Sequence, residues 1–430
     1  MYKITKVSIK GFWGRYNIST KFFKDVNIFI GKNGTGKTTL INLLQGVLTV
    51  DLELLYNLQF EEITLILSQK QKTRKVVVSK IPNEFEIEYK ALKYQIGTNV
   101  YNVPYVPKRD YKYLSRQSGR YPNQFFRNIE QIKDSFKELV NVSYLSVNRD
   151  SLLPSDDTRE SRADKANAID SRMDELMNGL TTYQLQLETE SSKLSKGFQE
   201  NVLRSMLFNE AFDNVNINES FKFDLKRISI GLKQAYRGLG ILDPLTSEVI
   251  DKHVLAISKA SEAIDKYIVD NKSPIYVNDV TPLTLLRRTR KIIELSTELE
   301  ENKKKIFKPI ADYVKLLNEF HETKVFSLQD TTVGGLKITT NQSDIPSLQL
   351  SSGEKQLIIL LTECLLQRNQ ETLFIADEPE LSLHIEWQRK VVSSIVNLNP
   401  NAQIIIATHS PEIVGRFRDN VINMETIING

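Results

Sequence analysis

Apolar and polar positions alternate with period two at both ends of the first forty residues. Val7 and Ile9, then Val26, Ile28 and Ile30, are β-branched residues at strand spacing, and the run TTLINLLQGVL that follows reads as a helix. From Glu61 to Val103 the pattern continues as ITLILS, KVVVSKI and EFEIEYKALKYQI, which predicts an antiparallel β layer attached to that helix. A loop rich in Tyr, Arg and Pro (Tyr101 to Pro122) leads to a predicted helix over 123–140 and a buried strand at Val142 to Val147. From Ser151 to about Phe320 the pattern is helical. Ile292, Leu295, Leu299, Ile306, Ile310, Tyr313, Leu317 and Phe320 recur mostly at steps of three and four, which predicts a helix over 284–320. Such spacing fits either a short coiled coil, its partner within Ala163 to Leu207, or a packed helical bundle. Strands return at Leu336 to Thr339, Leu373 to Ala376 and Ile404 to Ala407, with a helix from Glu354 to Leu366 between the first two. Alternation of buried apolar strands with helices implies a parallel sheet.

The fold class expected from this order is α/β: a head with a mixed sheet and an antiparallel β layer, interrupted by a helical insertion. The expected divisions are 1–150, 151–325 and 326–430.

Composition narrows the setting. Apolar residues make up 40% and charged residues 26% of the chain, ordinary for a globular protein. The most apolar run, Leu357 to Leu366, is broken by Thr362, Glu363 and Cys364, so no membrane segment is expected. The single cysteine, Cys364, and an N-terminus without a signal-peptide core lead to a cytoplasmic expectation. The net charge of +4 says little, but basic residues gather at Lys70 to Lys80, Lys108 to Arg120 and Arg287 to Lys291. Each cluster is either a solvated face or a nucleic-acid contact.

Four motifs carry chemistry. Gly31-Lys-Asn-Gly-Thr-Gly-Lys-Thr38 lies between a strand and a helix. Its backbone N–H groups can form an anion nest to which Gly31, Asn33, Gly34, Gly36 and Thr39 contribute, with Lys37 reaching phosphates and Thr38 holding Mg²⁺. Lys37 is expected in a solvent-facing loop. Leu373-Phe-Ile-Ala-Asp377-Glu378 is a buried strand ending in two carboxylates: Asp377 can hold the metal, and Glu378 can polarise a water as general base. Leu350-Ser351-Ser352-Gly353-Glu354-Lys355-Gln356 opens a helix, where Ser351 and Gly353 offer a second phosphate surface or Ser351 with Glu354 a plain capping box. Ile404-Ile-Ile-Ala-Thr408-His409-Ser410-Pro411 is a strand ending in a histidine that can sense a γ-phosphate.

In this order and spacing the four motifs resemble the ABC-type ATPases, within the branch shared by SMC, RecF and OLD ATPases. GKNGTGKT matches the Walker A loop, LSSGEKQ the signature, IADEP the Walker B strand, ELSLH the D-loop region and ATHSP the H-loop. Ser352 stands where that family usually has glycine, and no glutamine follows the strand at Val142 to Val147, where Asn148-Arg149-Asp150 is the best Q-loop candidate. The resemblance implies ATP with Mg²⁺, catalytic roles for Glu378, His409 and Lys37, and a nucleotide sandwiched between two heads so that Ser351 meets the γ-phosphate held by the neighbour's Lys37. It therefore implies a homo-oligomer. Phe12, Trp13 and Tyr16 can flank an adenine or pack in the core. Few residues follow His409, so a nuclease domain is not expected. That combination resembles the stand-alone ATPase subunits of anti-phage systems such as Septu and PARIS, which implies a separate effector protein such as a nuclease and a DNA or phage-protein trigger. The helical segment, with Arg287 to Lys291, is the expected binding surface. A RecF- or SMC-like DNA-repair or DNA-clamp ATPase is the alternative; a scaffold that binds ATP without turnover is a third.

Overall fold

The computed structural model describes residues 1–82, 90–104, 121–146, 162–207, 224–270, 281–282, 285–329, 334–340 and 343–429. In chain order the elements are β1 (Lys3–Phe12), β2 (Tyr16–Lys21), β3 (Val26–Ile30), α1 (Lys37–Thr49), α2 (Leu52–Asn57), β4 (Glu62–Gln69), β5 (Lys72–Pro82), β6 (Lys90–Ile96), β7 (Asn99–Pro104), α3 (Tyr121–Leu139) and β8 (Val142–Ser146). Four helices follow: α4 (Arg162–Ser205), α5 (Leu225–Gly238), α6 (Pro244–Asp270) and α7 (Leu286–Phe320). The chain closes with β9 (Val325–Leu328), β10 (Leu336–Thr339), α8 (Ser352–Leu366), β11 (Leu373–Asp377), α9 (Ile385–Leu398), β12 (Gln403–Ala407), α10 (Pro411–Val414), β13 (Val421–Asn423) and α11 (Met424–Asn429).

The strands form a six-stranded sheet, order β2-β1-β4-β5-β6-β7, a five-stranded sheet, order β13-β3-β12-β11-β8, and a separate β9–β10 pair. The first is antiparallel at every described pairing, the second parallel. A shared apolar core joins them: Val7, Ile9, Ile63, Leu65, Val76 and Val78 of the antiparallel sheet cluster with Leu40, Leu43 and Leu44 of α1, Ile132 of α3, and Phe29, Ile375 and Ile405 of the parallel sheet. At the sheet's start Gln403 donates to the carbonyls of Ile4 and Phe23 and accepts from Ile4 N, so a buried amide pins β1 beside β12 with its polar atoms satisfied.

One expected strand sits elsewhere. Leu336–Thr339 does not join the parallel sheet; it pairs antiparallel with Val325–Leu328. Two glycines with positive φ, Gly334 and Gly335, favour a hairpin turn before it, and four residues cannot show whether a run is buried on one face or two.

The chain divides into two compact units, Met1–Leu180 with Asp312–Gly430, and Thr181–Ala311; both boundaries fall inside long helices. Within the second unit, Ile228, Ile250, Val254, Ile257 and Leu286 form one cluster, and Phe198, Val202, Ala235 and Leu299 another. These helices pack as a bundle of several partners, the second of the two arrangements open to the heptad-like spacing. Of the basic stretches, Arg288 donates to Met206 O at 3.1 Å, Lys291 pairs with Glu294 at 2.9 Å, and Lys70 to Lys80 runs through the β4–β5 hairpin. Lys108 to Arg120 and the Q-loop candidate Asn148 to Asp150 lie outside the described residues.

Candidate functional site

β3 runs into residues 31–36 and α1 begins at Lys37. Gly36 is the N-cap, with φ 83° and no side-chain cap, so the first-turn amides have no intrahelical acceptor and stay open to an anion. A Cβ on Gly36 would lie 2.8 Å from the Phe12 ring and 3.0 Å from Trp13, so glycine is required by space as well as by φ. Lys37 is not in a solvent-facing loop: it is the first helical residue and 4% exposed. Its ammonium donates to Gly31 O at 2.8 Å and Lys32 O at 3.2 Å and stands 3.4 Å from His409 Nδ1. Burial lowers its pKa, against the opposing pull of Glu378, Asp377 and Glu380. Thr39 accepts from the Trp13 indole at 3.2 Å, while Asn33, Gly34 and Thr38 are exposed.

The carboxylates stand at the C-terminal end of β11. Burial pushes the Asp377 pKa up to about 6, with Glu378 and Glu380 adding to the rise and a hydrogen bond from Thr38 and the charge of Lys37 opposing it. Asp377 Oδ1 is buried with no hydrogen-bond partner among the described residues. A buried, unpaired carboxylate oxygen beside a threonine hydroxyl fits a hard divalent cation, so the donor set suits Mg²⁺. Glu378 adopts φ 48°, a left-handed conformation unusual for a non-glycine residue, and its N–H donates to Ala407 O at 2.8 Å. Its Oε1 is 3.4 Å from His409 Nε2. The imidazole therefore bridges Lys37 and Glu378.

The turn carrying His409 is held by a residue that motif reading passed over. Glu380 is 7% exposed, and its Oε1 accepts from the Thr408 hydroxyl at 2.5 Å, His409 N at 2.9 Å and Ser410 N at 3.3 Å. The signal in the sequence was the second glutamate of Glu378-Pro-Glu380, two residues beyond the first.

Ser351 is exposed and caps α8. Its N–H and hydroxyl each donate to Glu354 Oε2 at 2.8 Å, and Glu354 N donates back to its Oγ at 3.3 Å, a full capping box. Lys324 also pairs with Glu354, whose pKa stays lowered although burial opposes this. Ser351 makes no hydrogen bond with the Lys37 cluster among the described residues. A Cβ on Gly353 would come within 2.2 Å of Ser382 O, so this glycine lets the start of α8 abut the loop after β11. Of the three aromatics, Phe12 is fully buried; Trp13 and Tyr16 are half-buried, their rings 6.5 Å apart.

A profile of the AAA ATPase domain family matches residues 2–414. The chain belongs to the AAA ATPase domain family. The order of its motifs resembles that of the SMC/RecF/OLD-like branch. Among curated proteins, this ATPase domain is 33% identical over 90 residues to the "Retron Vc95 probable ATPase" of Vibrio cholerae serotype O1 biovar El Tor, covering 18% of each chain. It is 31% identical over 134 residues to the "Septu protein PtuA" of Bacillus thuringiensis, covering 28% of this chain and 32% of that one. The chain thus spans less than a third of the length of either relative. Among solved structures it is similar to an Smc head domain with an extended coiled coil from Pyrococcus furiosus, at a TM-score of 0.44 and 14% identity, covering 98% of this chain and 93% of that one. Among the described residues, no helix of the ATPase domain is long and apolar enough to cross a membrane.

Proposed function

We propose that the chain binds ATP at the 31–38 loop and hydrolyses it to ADP and phosphate, using Glu378 as general base and His409 and Lys37 as stabilisers of charge on the transferring phosphoryl group. What supports this reading above all is the bridge in which His409 lies 3.4 Å from both Lys37 Nζ and Glu378 Oε1 at the ends of parallel strands. Loop and helix amides would cradle the phosphates, Lys37 would pair with the outer ones, and Glu378 would orient and deprotonate water. Asp377 and Thr38 would hold Mg²⁺, whose chemistry when bound is to offset phosphate charge.

Ser351 and Gly353 would serve a neighbouring copy. The serine hydroxyl bonds its own Glu354 in the free chain and would turn toward a γ-phosphate brought by a second head, so that ATP favours the closed pair by touching both sides only there. By similarity to named defence ATPases, the closed pair would govern assembly with a separate effector such as a nuclease, and the helical unit would offer the binding surface for effector or trigger.

Glu378→Gln tests the chemistry. It keeps the side chain's size but cannot take a proton, so ATP should bind and persist while hydrolysis falls at least about tenfold, roughly 1.4 kcal/mol in barrier. A parental rate in the purified variant would assign the base elsewhere.

A further inference from the structure

We infer that Glu380 is a positioning residue, fixing the 408–410 turn so that His409 stands between Lys37 and Glu378; this rests on the ATP turnover proposed above. Three donors converge on one oxygen: the Thr408 hydroxyl, His409 N and Ser410 N, at 2.5, 2.9 and 3.3 Å. Such convergence favours a charged acceptor. Oε1 is thus fully engaged, while Oε2 is buried with no hydrogen-bond partner among the described residues. The contacts are non-local in sequence yet short in space, because β11 and β12 are paired neighbours and both loops leave the same end of the sheet.

The loop that carries Glu380 is itself braced. Glu378 N donates to Ala407 O at one end, and Ser382 O sits against Gly353 at the other. Gln388 donates to Leu383 O at 2.9 Å and accepts from the Ser410 hydroxyl at 2.6 Å, so the far side of the histidine turn is tied to the same segment. One short stretch therefore carries the proposed base and the anchor of the histidine, which keeps the two groups at a set separation. Nothing else among the described residues accepts from the amide of His409.

Hydrogen exchange in the nucleotide-free full chain tests the grip directly. In Glu380→Ala, peptides covering 408–411 should exchange at least about tenfold faster, while peptides confined to β12 stay as in the parent. Glu380→Gln should recover most of the protection, since an amide oxygen can accept from the same donors. Turnover supplies the second readout: E380A should lower kcat about tenfold with nucleotide Kd within about threefold, and should cost less than twofold in a His409→Ala background. Unchanged exchange in E380A, or losses in E380A and H409A that simply multiply, overturns the inference. Should E380A not fold, Glu380→Asp draws the carboxylate back by one methylene and must speed exchange of the same peptides for the inference to stand. A parent chain that hydrolyses no ATP defeats the functional reading instead, and the exchange result still decides whether Glu380 holds the turn.

Discussion

The two large sheets of the head are built from similar residues and carry opposite loads. The three central strands of the parallel sheet are buried on both faces: β12 is buried at every residue, and β3 and β11 at all but the last. Its side chains cannot meet a ligand along their length, so the proposed site gathers where strands end, at residues 31–38, Asp377, Glu378 and His409. The antiparallel sheet alternates, as β4 does, with Ile63, Leu65 and Leu67 inward and Glu62, Thr64 and Ile66 at the partly exposed face. It has one dry face and one wet face; Phe12 at the end of β1 packs against Gly36, but no hydrogen bond joins the sheet to the Lys37 cluster among the described residues. A change of one residue should therefore have very different consequences in the two places.

The largest effect is expected at the strand end. Lys37→Ala removes a nearly buried ammonium from the phosphate site, and a lost charge-assisted hydrogen bond of about 1.5–3 kcal/mol weakens nucleotide binding roughly 10- to 100-fold. Near-parental affinity in a folded variant would break the assignment. The same variant sharpens the shared-site proposal. Mixed with Ser351→Arg, it should regain part of its ATPase activity, because one of the two composite sites in a mixed pair is intact. No recovery, with subunit exchange shown independently, would mean that each head works alone. A melting control is needed for S351R, since the lost cap alone costs about 1 kcal/mol.

A middle-sized effect concerns Asp377, and its direction is the opposite of a usual surface carboxylate. Its pKa rises from 3.8 to about 6 on folding, chiefly through burial. The folded state therefore holds an extra proton between about pH 4 and 6, so this group's contribution to stability declines as pH rises through that window and is level above it. Asp377→Asn removes the cost of the buried charge. In the absence of nucleotide it should be more stable than the parent at pH 7.5 by up to roughly 3 kcal/mol, the rise from 3.8 to about 6 taken at about 1.4 kcal/mol per pH unit. The gap should close toward pH 4 while hydrolysis is lost at every pH. Thermal melts of both chains across that range decide it; a variant less stable at pH 7.5 would mean that the Thr38 hydrogen bond and the Lys37 charge outweigh burial at Asp377.

Much of this contrast could be read from residues alone, and what could not has a common cause. Walker A, the strand ending in Asp377-Glu378 and the strand ending in Thr408-His409 are local: a few consecutive residues fix both the element and the chemistry. The antiparallel layer was legible because period two survives wherever one face is wet. Leu336–Thr339 was misplaced since a short run does not state its partner, and pairing is a property of the whole sheet. Glu380 was missed for the same reason. Its meaning lies in three donors about thirty residues away, and nothing in the sequence names them. Lys37 illustrates a further gap: its place in the motif was legible, but not its burial, which depends on the carbonyls of its own loop and on His409.

The smallest effect belongs to the wet face. Lys6 of β1 lies directly opposite Lys21 of β2, and both are exposed. Like charges at opposed cross-strand positions are unfavourable, and a matched pair is worth about 0.2–1 kcal/mol. Lys6→Glu turns the repulsion into attraction without touching the apolar face, since Ile4, Val7 and Ile9 keep their places in the core. The variant should gain a few tenths of a kcal/mol in denaturant unfolding at low ionic strength, and the gain should shrink toward zero near 1 M salt, where the Debye length is about 3 Å. ATP turnover should match the parent, because Lys6 is remote in role from every strand end that carries the site. A loss of more than about 1 kcal/mol, or a salt-independent change, would show that the outer face of this sheet is packed against something and is not the free surface that the alternation implies.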